Sequence, residues 1–357
     1  MVGLHSTADP NGAPWVDYEP AARILPLAVR AVIYIARTEL FIVISLFLLL
    51  MSLDSRERGY VTTIREQARR LLVPFLFWCV FFAFYNLVKA QAFGYAPSVQ
   101  AELADWHSWT SYLLLGSVKY HMHFLPTLFG VVLMYPLFRI AVRYPAIGLA
   151  VIVCLVVKRE LDTVLFSELW GHWSLPYAVR AIKIVTYSGY GLAAGACVGL
   201  WQQARSGALA PFVPLLVFGG LMLFAFKVVA SWHTVQAGAW QPEYAPGYWA
   251  DFLLPALLFL GAMALGHKQW PQILSRLAPY SFGIYLCHPI FLDLAEIWLR
   301  PTALSPIAQV GVKLAFALTA TSILVALLQR TRVLGWTVGL GPLPFTHFPS
   351  RQMQPSE

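Results

Sequence analysis

Between Leu71 and Val88 the chain carries no charged residue, and the same holds from Val213 to Phe226 and from Leu253 to Gly266. A helix needs about 20 mostly apolar residues, at about 1.5 Å each, to cross a hydrocarbon core about 30 Å thick. Repeated runs of this kind leave little choice of solvent. The composition agrees: 59% of residues are hydrophobic, 12% are charged and the mean hydropathy is +0.64, against roughly 45–50% apolar and about 25% charged in soluble domains. The chain reads as an all-α, polytopic membrane helix bundle whose partner is the lipid bilayer. Its 357 residues allow one domain of nine or ten spans. The excess of 25 Lys and Arg over 17 Asp and Glu therefore speaks to loop orientation, and no nucleic-acid partner follows.

Arginines fix the orientation. Arg56, Arg58, Arg65, Arg69 and Arg70 crowd the segment Ser52 to Arg70, which the positive-inside rule assigns to the cytoplasm. Alternation then predicts nine complete spans: Glu39–Met51, Leu71–Lys89, His121–Ile140, Ala146–Val157, Tyr177–Trp201, Ala210–Ala230, Trp249–Leu265, Leu277–Leu299 and Ile307–Leu328. The inner turns carry Arg139 and Arg143, Arg205, Lys268 and Arg276, and Arg330, Arg332 and Arg351 follow the last span. The outer loops Thr7–Pro20 and Ser231–Tyr248 carry neither Arg nor Lys. On this reading, residues 1–328 form the membrane domain and 329–357 a cytoplasmic tail. An outer first loop requires one more helix before it, so Met1–Ser6 reads as the stub of a tenth span.

Ionisable groups at membrane depth are costly and usually functional. Here they include Arg37 and Glu39, His121 and His123, Arg180, Lys183, Lys227, Asp251, His288, Asp293 and Lys313. Arg37 and Glu39, two residues apart, share no helix face and are expected to pair with other helices. Lys183, Lys227 and Lys313 can equally snorkel or pair structurally. His5, His121, His123 and His288 lie in or at the ends of spans, where imidazole is the natural acid or base near neutral pH. No metal site is expected, because no carboxylate lies at ligand spacing from them. Cys79, Cys154, Cys197 and Cys287 fall in apolar runs without paired spacing and read as small hydrophobes. Tryptophan is concentrated outside: nine, Trp240 and Trp249 among them, against Trp78, Trp201, Trp270 and Trp336 inside. An interfacial belt serves both faces, so this surplus also suits a flat amphipathic substrate such as a sugar.

Four segments resemble those of the acyltransferase 3 family of integral membrane O-acyltransferases. Glu39-Leu-Phe-Ile-Val-Ile-Ser45 is similar to an acidic-Leu-Phe-Phe-x-x-Ser-Gly segment, with Leu46 in place of Gly; Arg69-Arg70-Leu-Leu-Val-Pro74 is similar to a basic patch, with Gln67 at its usual first basic position. His121-Met-His-Phe-Leu-Pro126 resembles a His-x-Trp-Phe-Leu segment, with His123 for Trp, and Ser281-Phe-Gly-Ile-Tyr-Leu-Cys-His288-Pro289 is similar to Ser-x-x-Ile-Tyr-Leu-x-His-Pro. Val2-Gly3-Leu4-His5-Ser6 resembles the end of the family's signature, an Arg followed after ten residues by an essential His. That Arg would precede Met1, which reads as a late start or a truncation with impaired activity.

The resemblance implies a ten-helix bacterial inner-membrane enzyme that takes an acyl group, usually acetyl, from cytoplasmic acyl-CoA, a co-substrate with no bound cofactor beside it. The acceptor is a hydroxyl of an extracytoplasmic glycan such as an exopolysaccharide. It assigns His5 as general base, Arg69 and Arg70 to the coenzyme A phosphates, and Glu39, Ser45, His121, Tyr285 and His288 to the core cavity. Two other readings stay open: a transporter or flippase for a lipid-linked sugar or acyl donor, without chemistry, and a structural partner of polysaccharide-synthesis machinery.

Overall fold

The computed structural model describes residues 2–203, 209–241, 244–266, 268–269, 271–331 and 333–341. Arg205, Trp270, Arg332 and Arg351, placed in inner turns or tail above, lie outside the described residues. The described chain folds into sixteen α-helices joined by short turns.

A five-residue helix, α1 (Val2–Ser6), opens it. The loop to α2 (Pro20–Ile33) is pinned by Arg23, whose guanidinium donates to the carbonyls of Trp15, Tyr18, Val16 and Val235. Trp15 in that loop is 1% exposed with φ +61, a left-handed conformation unusual for a bulky side chain. Its indole N–H donates to Thr7 O at 2.9 Å and holds it there. α3 (Thr38–Ser55) and α4 (Tyr60–Phe93) follow, separated by the arginine-rich turn. α4 stops at Gly94, whose φ of +83 suits glycine.

α5 (Ala96–Ala104) and α6 (Trp106–Leu115) form a short pair. Asp105 caps α6 by accepting from the backbone N–H of His107 and Ser108. The Ser108 hydroxyl and amide hold its carboxyl down at about 2, so the cap stays ionised until strongly acid pH. Gly116 (φ +68) then turns the chain so sharply that a Cβ would meet Met122 O at 2.6 Å. Glycine is required there, and this turn carries His121 back into the bundle.

α7 (Phe124–Val132) and α8 (Tyr135–Arg143) meet at 62°. Pro136, in the first turn of α8, has no N–H to continue α7. α9 (Ala150–Glu168), α10 (Leu175–Thr186) and α11 (Ser188–Gln203) complete the middle. Gly191, Gly195 and Gly199 line one face of α11 at four-residue spacing. A Cβ on them would lie 2.3 Å from Phe138 Cζ, 2.3 Å from Phe138 O and 2.2 Å from Val142 O, so α8 packs backbone-close against α11. The last third comprises α12 (Val213–Ala237), α13 (Ala245–Ala264), the short α14 (Gln272–Leu277), α15 (Ser281–Leu299) and α16 (Pro306–Arg330). Beyond α16, Thr337 O accepts from Trp78 Nε1 at 2.8 Å, and Val338 is buried against the bundle.

Among the described residues, seven helical segments are long and apolar enough to cross a membrane, or eight if the bent α7–α8 pair counts as one span. The expected nine spans plus the stub of a tenth are therefore corrected. Two causes are physical. The apolar part of α9, Ala150 to Val157, covers only about 12 Å at 1.5 Å per residue, and Lys158, Arg159, Glu160 and Asp162 follow immediately. The run His121–Ile140, expected as one straight span, is two nine-residue helices with a break at Leu133–Met134. α1 is a single five-residue helix.

Candidate functional site

The bundle holds three neighbouring imidazoles, with His288 in ring contact with each of the other two. α1 presents His5, the turn after Gly116 presents His121, and α15 presents His288. The ring centroids of His5 and His288 are 5.7 Å apart and those of His121 and His288 are 5.1 Å apart. Tyr120 lies tilted against His5 with ring centroids 4.0 Å apart, and Tyr285 lies 5.1 Å from His121. The Tyr285 hydroxyl donates to His121 O, which ties α15 to the turn. His121 and His288 are wholly buried.

His5 Nε2, His288 Nε2 and both ring nitrogens of His121 are buried without a hydrogen-bond partner among the described residues. His288 Nδ1 is 2.7 Å from Tyr285 O. A carbonyl oxygen only accepts, so Nδ1 carries the hydrogen and Nε2 of the neutral ring presents its lone pair to the cluster. Such a nitrogen can take a proton from a hydroxyl brought against it. His123, though adjacent in sequence, is turned elsewhere: its Nδ1 bonds Tyr120 O at 2.8 Å, and its backbone carbonyl accepts from Arg180.

A shell of buried charge surrounds α1 and its loop. Asp293 bonds Lys119 at 2.6 Å and faces Lys89 at 3.5 Å; Glu296 bonds Lys89 at 2.5 Å and faces Lys313 at 3.5 Å. The same lysines reach the loop after α1, Lys313 to Ala8 O at 2.5 Å and Lys89 to Pro10 O at 2.9 Å. Asp293 and Lys313 were legible as intramembrane charges. Lys89, Lys119 and Glu296 were not singled out, because they stand near predicted span ends where charge is ordinary.

Glu39, 0% exposed, sits in a second cluster. Tyr187 donates to its Oε1 at 2.5 Å, and Arg37 Nε lies 3.1 Å from Oε2. This corrects the expectation that Arg37 and Glu39 do not pair. Arg37 is the extended N-cap residue of α3, with ψ 178, so helical face spacing does not govern it. Arg37 also reaches Asp251 at 3.2 Å, and Lys227 bonds the same carboxylate. Ser45 is half-buried further along α3 and joins neither cluster. The structure thus brings His5, His121, Tyr285 and His288 together, and sets Glu39 in a separate network.

Arg69 and Arg70 are exposed on α4. Phe82, whose ring is 5.5 Å from His121, lies about 18 Å further along α4 from Arg70, at 1.5 Å per residue.

An open cavity of about 380 Å³ lies between α2, α12 and α13. Arg30, Arg37, Lys227 and Asp251 line it with Tyr34, Trp240, Tyr248 and Phe252, and none of the three imidazoles does. Among the described residues no three His, Cys, Asp or Glu side chains are placed to hold a metal ion.

The sequence model of an acyltransferase domain family matches residues 1–328. No curated protein and no solved structure matches the chain.

Proposed function

The chain belongs to this acyltransferase domain family, and from that premise we propose that it is a multi-pass O-acyltransferase of the bacterial inner membrane. It moves an acyl group, acetyl first among candidates, from cytoplasmic acyl-CoA to a hydroxyl of an extracytoplasmic glycan. The observation that carries the reading is the cluster of His5, His121 and His288, whose occluded ring nitrogens include four that no group among the described residues satisfies. Buried polar atoms are nearly always paired. Unpaired nitrogens on neighbouring imidazoles suit a site that expects a hydroxyl.

In this reading His5 is the general base. As the glycan oxygen attacks the thioester carbonyl, its proton passes to His5 Nε2, the C–S bond breaks, and the departing thiolate of coenzyme A takes up that one proton's equivalent as His5 returns to its neutral form. His121 and His288 present further nitrogens to the same space, and Tyr285 positions His121 through its backbone carbonyl. Glu39 holds Arg37 and Tyr187, and Ser45 lines α3 below them. Arg69 and Arg70 meet the coenzyme A phosphates, for which planar guanidinium groups are well shaped. The rise of about 18 Å from Arg70 to the level of Phe82 is of the order of an extended pantetheine arm.

The test is transfer of radiolabelled acetyl from acetyl-CoA to a bacterial exopolysaccharide by the purified chain in detergent. His5→Ala is expected to lower transfer by about 10²- to 10⁴-fold while the protein remains monodisperse. Unchanged transfer would remove His5 from the mechanism.

A further inference from the structure

The cavity between α2, α12 and α13 has a charge imbalance. Arg37 and Lys227 both engage Asp251, and Arg37 also leans on Glu39. Arg30 has no carboxylate within ion-pair reach among the described residues. Its Nη1 donates to Leu4 O at 2.8 Å and Thr7 Oγ1 at 3.3 Å, which leaves Nε and Nη2 free of partners there. The guanidinium carbon stands 4.4 Å from the ring centre of Trp240 and 5.2 Å from that of Tyr34. A flat cation with open N–H groups, set beside an indole, offers a bidentate grip for a carboxylate or phosphate and an apolar face for a sugar ring. The volume of about 380 Å³ falls in the range of small-ligand pockets.

Position argues for the acceptor rather than the donor. α3 starts at the cavity, beside Arg37, and ends at Ser55, where the arginine-rich turn begins, about 27 Å away at 1.5 Å per residue. The molecule therefore carries cations at both ends of one helix. Arg30 grips Leu4 O, the carbonyl preceding His5 in the chain, so its ligand would sit beside α1.

We propose that this cavity is the acceptor subsite and that it selects a sugar bearing an anionic substituent, a carboxylate or a phosphate. The proposal rests on the acyltransferase reading above and narrows its substrate class.

The experiment uses the full chain in detergent and two readouts, calorimetric binding and acetyl transfer from acetyl-CoA. The probes are a galacturonic acid trimer, a galactose trimer and mannose 6-phosphate. Expected is at least a tenfold tighter dissociation constant for a charged probe than for the neutral trimer, the better of the two charged probes telling carboxylate from phosphate. Arg30→Gln should remove most of that margin, and Arg30→Lys should keep part of it. Should Arg30→Gln fail to fold, the wild-type margin must still shrink as salt is raised; a salt-independent margin overturns the proposal. So do equal affinities for charged and neutral trimers, or displacement of the uronate by nanodiscs of phosphatidylglycerol, which would assign the cavity to lipid. Selective binding without acetyl transfer to any probe overturns the acyltransferase reading and leaves the anion selectivity standing. Equal transfer to neutral and charged trimers does the reverse.

Discussion

His121 and His288 are fully buried and His5 partly so, and the three differ in what holds them. His288 is locked by its own helix, with Nδ1–H directed at Tyr285 O, so its free nitrogen has a fixed direction. His5 is held by a ring contact with Tyr120 and His121 by the backbone turn behind it, so their rings can adjust to a ligand. Removing the His288 nitrogen with His288→Phe is expected to lower acyl transfer by about 10- to 100-fold, a loss of about 1.4–2.7 kcal/mol in transition-state stabilisation at 1.36 kcal/mol per tenfold. An unchanged kcat would limit His288 to packing. A second prediction concerns Asp293, 1% exposed and bonded to Lys119 at 2.6 Å. Asp293→Asn leaves a buried ammonium without its partner, a change that typically costs about 3–5 kcal/mol. A drop in thermal midpoint checks it, and Lys119→Met in the same chain should recover part of the loss.

At the scale of the element, the joint between α8 and α11 depends on what glycine lacks. Gly191, Gly195 and Gly199 admit Phe138 and the α8 backbone where a Cβ would clash. Gly195→Leu is therefore expected to separate the two helices, with loss of monodisperse protein in detergent, whereas Gly220→Ala on α12, where a Cβ meets nothing within 4 Å, should leave it unaffected. Gly116→Ala combines a left-handed backbone with contact to the Met122 carbonyl. The backbone term alone costs about 1–2 kcal/mol, and acyl transfer should fall with thermal stability because His121 rides on that turn. The four-residue glycine spacing on α11 stands in the sequence as plainly as any apolar run, yet nothing in it names the partner helix. The bend between α7 and α8 was likewise readable only as a proline in an apolar stretch. α9 misled for a simple reason: a short apolar run before a charge cluster looks like a span when alternation demands one. Arg37 and Glu39 misled because face spacing was applied to a residue outside the helix.

At the scale of the molecule, apolar runs and arginine-bearing turns made the membrane bundle legible, and motif resemblance made the histidines legible as a set. The arrangement itself was not. His5, His121 and His288 are far apart in the chain, and the lysine and carboxylate shell joins residues that no local periodicity relates. Arg30 was hidden for the same reason, since its partners lie on α1 and beside α12. The proposed sidedness has its own check. Single cysteines at Arg69 and at Trp240 should label with membrane-impermeant maleimide from opposite sides of sealed vesicles, and labelling from one side would overturn it.

The clamp on the first loop also sets an order of assembly. Lys313 grips Ala8 O across 305 residues, and Lys89 joins Pro10 O to Glu296. The loop after α1 thus finds its seat only after α15 and α16 have been made and inserted. Closing so long a loop is entropically slow. His5 is then the last of the three to be seated, and nascent chains halted before α15 should leave residues 7–19 open to protease while finished chains protect them.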